Sequence, residues 1–159
     1  MAGEIYIFNE FKHNLGLSEM NMETDTFNLM LSQDSATDPT IDDADPGYLN
    51  ATRSPDWTQA AFESDPGGNY SAGGTSLGAV TWTLSLANDN VLWDAGDLTT
   101  AWAANASNPT SARYGCCFNF TDADKKGVFY IDLGQDFNMV NGDLTITWST
   151  SPDAIFTLA

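Results

Sequence analysis

Positive charge is what this chain has least of: five Lys and Arg stand against 22 Asp and Glu across 159 residues, giving a formal charge of −17. That balance repels phosphate backbones and anionic lipid headgroups, so neither nucleic acid nor a membrane surface is expected as a partner. Histidine is scarcer still, with His13 alone. One imidazole leaves a zinc or other transition-metal centre short of ligands, and no cofactor is expected. Apolar runs are short as well. None approaches the about 20 residues of a helical membrane span. The opening Met-Ala-Gly-Glu has no basic stretch of a secretory leader, so folding in the cytoplasm is expected. Cysteine is confined to Cys116 and Cys117. Neighbours in a strand point to opposite faces, which marks these two as buried free thiols and not as a disulfide.

A convergent catalytic set is also missing. Gly74-Thr75-Ser76-Leu77-Gly78 spells the G-x-S-x-G nucleophile elbow, but that turn needs a strand before it, a helix after it and a histidine further along. Here a loop precedes, an alternating segment follows, and the histidine lies upstream. A glycine-rich turn leading into a strand explains these residues, and Ser76 is not expected to act as a nucleophile. His13 falls off the apolar side of its helix and reads as a surface residue, with a proton-linked subunit contact as its functional alternative. The acidic run 38–47 and the pair Asp122 and Asp124 offer oxygen donors but not the alternation, central glycine and closing glutamate of a calcium loop. They read as solvated loops. Among so many acids no pair is singled out for glycoside hydrolysis, and the chain is not expected to be an enzyme.

What the chain does have is aromatic weight and alternation. With 42% hydrophobic and 12% aromatic residues, a single packed domain over 1–159 is expected. Phe8, Phe11 and Leu15 recur on one helical face, and Gly16 stands where a left-handed cap would end a short helix. From Thr24 to Leu31 the period becomes two, which predicts a half-buried strand with Phe27, Leu29 and Leu31 inside. Residues 33–75 are rich in Asp, Pro, Gly, Ser and Asn, a long acidic loop region with Trp57 and Phe62 as its apolar pins. Val80, Trp82, Leu84 and Leu86 then alternate with polar residues, and Asn88-Asp89-Asn90 turns the chain into Val91-Leu92-Trp93, predicting a hairpin. A second hairpin is predicted from Tyr114–Phe120 and Val128–Leu133. Leu144, Ile146 and Trp148, followed past Ser151-Pro152-Asp153 by Ile155–Leu158, bring the chain's last residues into a sheet. At least six strands and one helix predict a mainly β fold, an antiparallel sandwich or barrel with one short N-terminal helix. Trp82, Trp93 and Trp148 share parity with aliphatic residues and are expected in the core. Trp57 and Trp102 sit in less regular segments and are the better candidates for exposed contact.

Four segments taken in order resemble a family of tailed-bacteriophage virion structural proteins: EIYIFNEFKHNLGLSEMNMETDTFNLML from Glu4 to Leu31, Tyr70-Ser71-Ala72-Gly73-Gly74 followed by Leu77, Ala112-Arg113-Tyr114, and Asn141-Gly142-Asp143-Leu144-Thr145-Ile146 running to Trp148. The resemblance implies a compact β-rich, non-enzymatic component that decorates or cements the capsid. Residues 33–69 depart from the pattern by being longer and acidic, and no contact is carried over there. On this reading the partners are the major capsid protein and further copies of the chain, as a homo-oligomer, with a trimer expected. The location is the outer surface of the head, where negative charge is kept away from packaged DNA. Ile5, Tyr6, Phe8 and Phe11 are the candidate assembly contacts, on the expectation that a terminal segment outside the main sheet reaches a neighbour; covering one end of the sandwich is the alternative. Trp57 joins them as an exposed aromatic. A carbohydrate- or receptor-binding module of a tail fibre or baseplate, working through exposed aromatics, is the second functional reading.

Overall fold

The computed structural model describes residues 3–33, 63–123, 125–150 and 153–158. Trp57, Phe62, the acidic run 38–47 and Asp124 lie outside them. In chain order the elements are β1 (Glu4–Ile7), α1 (Asn9–Gly16), β2 (Phe27–Ser32), β3 (Thr75–Ser76), β4 (Val80–Ser85), β5 (Asn90–Ala95), β6 (Leu98–Trp102), β7 (Ala112–Asn119), β8 (Gly127–Phe137), β9 (Leu144–Ile146), β10 (Ser149–Thr150), β11 (Asp153–Ala154) and β12 (Phe156–Leu158). The fold is mainly β. A five-stranded sheet runs β1-β8-β7-β2-β3, a three-stranded sheet runs β12-β5-β4, and β6-β9 and β10-β11 form two small ones. Every pairing is antiparallel.

The predicted helix is present, but its stop is not at Gly16. That residue is the last helical one, Leu17 caps the helix with right-handed angles, and Ser18 takes the left-handed conformation at φ 58°. Glu19 N–H reaches back to the Asn14 carbonyl and Ser18 N–H to that of Leu15, the paired bonds of a Schellman motif, so the left-handed residue must come two positions later than expected. β2 also departs from its half-buried expectation. Met30 and Ser32 are as buried as Phe27, Leu29 and Leu31, because the strand lies between β7 and β3 and is covered on both faces. Its register places Met30 opposite Cys116 and Leu29 opposite Cys117. Both cysteines are free and fully buried, and burial pushes the Cys117 thiol well above its usual range.

The two larger sheets meet across a chain of rings. Phe27 packs edge-on against Trp93 at 5.0 Å, Trp93 against Phe129 at 6.1 Å, and Phe129 against both Phe156 and Trp148 at 6.2 Å, with Phe11 joining through Phe156 at 5.8 Å. The indole N–H of Trp93 donates to the Met22 carbonyl and that of Trp148 to the Gly96 carbonyl, so both rings are buried without an orphaned donor. Trp102, expected at the surface, is only 1% exposed. β6 pairs it with Leu144 of β9, and its ring lies 6.4 Å from that of Tyr70.

Where the long acidic region rejoins the sheet it is pinned by Tyr70. The Tyr70 hydroxyl accepts from Leu31 N–H at 2.9 Å and donates to the Glu63 carboxylate at 2.9 Å, which in turn accepts from Gly73 N–H at 2.6 Å. Next to this network Gly74 stands at φ +73°, and a Cβ there would lie against the Leu29 carbonyl. Only glycine lets β3 approach β2 this closely.

Candidate functional site

The N-terminal segment expected to reach a neighbour is part of the main sheet. β1 pairs with β8, Ile5 opposite Ile131 and Tyr6 opposite Tyr130, and the two tyrosine rings stack at 4.9 Å. Phe8 and Phe11 are 0% exposed and belong to the core of the chain. The terminal segment expected outside the main sheet is paired within the chain. Ile5 and Tyr6 remain half-buried on an edge strand. The Tyr6 hydroxyl donates to Glu4, and that bond, ahead of partial burial and the negative charge, raises its pKa.

Ile5 also lines a pocket of about 510 Å³, closed on the other side by Leu144, Ile146, Trp148 and Ile155. Among the described residues Thr145 and Thr147 bring the only side-chain hydroxyls to its wall, and no acid, base or thiol lines it. The described lining is mostly apolar. Ser76 of the elbow-like motif is exposed on the two-residue β3, and its Oγ accepts from Gly78 N–H at 3.0 Å. His13 is exposed on α1. Among the described residues no three His, Cys, Asp or Glu gather as a metal would require.

The surface that stands out is the end of the β4–β5 hairpin. Directly paired residues share a face, so Val80–Ala95, Trp82–Trp93 and Leu84–Val91 all project to one side, joined from β12 by Phe156 opposite Trp93 and Leu158 opposite Val91. Toward the core this face is covered: Trp93 is 0% and Phe156 8% exposed. Further out Trp82, Val91 and Leu158 are half-buried, Leu84 is 63% exposed and Leu86, in the connecting turn, 84%. Burial along this apolar row is thus complete at Val80, partial at Trp82, which was expected in the core, and lost at Leu84 and Leu86. The apolar face outruns the five-stranded sheet that covers it. Thr81, Thr83 and Thr157 occupy the other side.

Charge sharpens the contrast. Residues 66–88 form an uncharged stretch in a chain of net charge −17. The described cations are engaged elsewhere: Arg113 with Asp132 at 3.0 Å, Lys126 with Glu19 and Asp122, Lys125 with the Phe120 carbonyl, Lys12 with Asn9. Burial of Lys126 works against its charged form, but its acidic neighbours outweigh that and raise its pKa. Leu84 and Leu86 are exposed apolar residues that alternation alone does not single out. The uncharged stretch was the signal that marked them. No protein family, curated protein or solved structure matches the chain.

Proposed function

We propose that the chain works by assembly and not by catalysis, as a decoration protein docked on the outside of a phage head, bound to the major capsid protein and to further copies of itself. The observation that carries an assembly role is the uncovered apolar end of the hairpin, with Leu84 and Leu86 more exposed than any other large hydrophobic side chain among the described residues. Exposed apolar patches on an otherwise charged surface mark protein contacts. The choice of lattice rests on the resemblance of four segments to phage virion proteins and on the net charge of −17, which favours an outer surface over one facing packaged DNA. A chain that binds only the assembled lattice stabilises it by mass action, about 2.7 kcal/mol per site at a concentration a hundredfold above Kd. Mass spectrometry of purified virions, with copy number set against the major capsid protein, tests this. Hundreds of copies are expected, together with binding of the purified chain to preformed capsids. A few copies located at tail tips would move the protein to a fibre or baseplate, and absence from virions would end the reading.

A further inference from the structure

We propose that the partner covering the hairpin is a second copy of this chain, paired strand to strand along the free edge of β4 in an antiparallel register centred on Thr83. The inference rests on the assembly reading above and names what occupies that surface. β4 is the outer strand of the β12-β5-β4 sheet, and among the described residues no strand pairs with its other edge. Exposed edges are ordinarily kept from pairing by shortness, charge, proline or a bulge. The other edges of the two larger sheets follow that rule: β3 has two residues, β12 three, and β1 four with Glu4 among them. β4 breaks it. Val80-Thr81-Trp82-Thr83-Leu84-Ser85 has six residues, neither charge nor proline, strong β-formers at its first four positions, and an uninterrupted register with β5.

Charge identifies the occupant. Two copies at −17 each repel almost everywhere, and the uncharged stretch 66–88 is where they can meet without apposing carboxylates. A two-fold axis through Thr83 sets Trp82 opposite Leu84 of the partner subunit and Val80 opposite Leu86 of the partner subunit, all on the apolar face. Thr81 then meets Ser85 of the partner subunit on the polar face. The three-stranded sheets fuse into one continuous sheet, and the most exposed leucines gain aromatic and aliphatic neighbours across the joint. Such an interface is isologous and closes at a dimer, not at the trimer that the family resemblance implies.

Light scattering and native mass spectrometry of the full chain at about 0.05 M and about 0.5 M salt test the pairing, since screening of like charges over that range strengthens an apolar contact between acidic copies. A dimer that tightens with salt is expected. Leu84→Lys should weaken it at least about tenfold, because the apolar contact of the leucine with the partner's indole is lost, while its melting curve stays that of a folded protein because the site is exposed. Thr83→Cys should give an intermolecular disulfide on mild oxidation, whereas Thr81→Cys should not, because only position 83 meets itself across the axis. A monomer or a trimer at every salt concentration overturns the proposal, as does a dimer that cross-links at 81 and not at 83. The two readings fail separately. A monomer whose capsid binding is abolished by Leu84→Lys ends the self-pairing but leaves decoration standing; a dimer cross-linked through 83 that ignores capsids does the reverse.

Discussion

β2 and β4 are six-residue strands that both carry large apolar residues at every second position, with Met30 added at the other parity of β2, yet their fates differ. β2 lies inside the five-stranded sheet, between β7 and β3, and buries residues of both parities, even Met30 and Ser32. β4 lies at the edge of the smaller sheet and leaves Leu84 63% exposed on the face that carries Trp93 a few residues away. The pattern is a request for cover, and cover depends on what the rest of the chain places opposite. In β2 the request is over-fulfilled. In β4 it runs out beyond the reach of the opposing sheet, which leaves Leu84 exposed.

The sharpest way to break this comparison is at the ring that joins the two regions. Trp93→Ala should cost about 3–5 kcal/mol in urea denaturation, because it removes the contact to Phe27, Phe129 and Phe156 and leaves a cavity between the sheets. A cost below about 1 kcal/mol would mean that the sheets do not depend on each other. Gly74→Ala should cost about 1–3 kcal/mol through its positive φ, with a further penalty from the Leu29 carbonyl, read as a lowered melting temperature. A neutral result would show that β3 can leave β2 freely.

Tyr70 sharpens the buried side of the contrast through pH. Burial first, then the Glu63 charge, holds its hydroxyl far above the ordinary value of 10.0, so the folded state keeps a proton that the unfolded chain loses. That stability is fully present below pH 10 and falls as pH rises beyond it, by about 1.4 kcal/mol per pH unit while only the unfolded phenol ionises. Denaturation at neutral pH should show Tyr70→Phe less stable by about 1–3 kcal/mol, for the lost partner of the Leu31 N–H. The same variant should flatten the decline above pH 10, and an unchanged slope would place the alkaline loss elsewhere. The smallest effect belongs to the exposed side. Leu86→Ser should stay within about 0.5 kcal/mol of the parent at concentrations where the chain is monomeric. A loss of more than about 1 kcal/mol would mean that the chain itself covers the turn and that no docking surface exists there.

Much of the fold was legible because its signals are local. Asn88-Asp89-Asn90 announced the first hairpin, the polar segment after Phe120 the second, and Asp153 the return of the final strand. The adjacency of Cys116 and Cys117 announced buried free thiols. The helix stop was misplaced because Gly16 carries the residue preference while Ser18 carries the geometry, and only the carbonyls of Asn14 and Leu15 decide between them. Phe8 and Phe11 were open to two readings, arm or lid. Pairing of β1 with β8, more than a hundred residues away in sequence, buried them.

Composition and periodicity determined that this would be an acidic, mainly β chain with one short helix, rich in rings and poor in histidine and cysteine, because each of those properties is a matter of residue identity and near-neighbour spacing. Which apolar faces are covered was decided by the tertiary structure alone. Burial depends on how far one sheet extends over another, and that reach is set by pairings distant in sequence. Trp102 therefore went inside, Leu84 stayed outside, and the exposed apolar residues lie on the hairpin and not on Phe8 and Phe11.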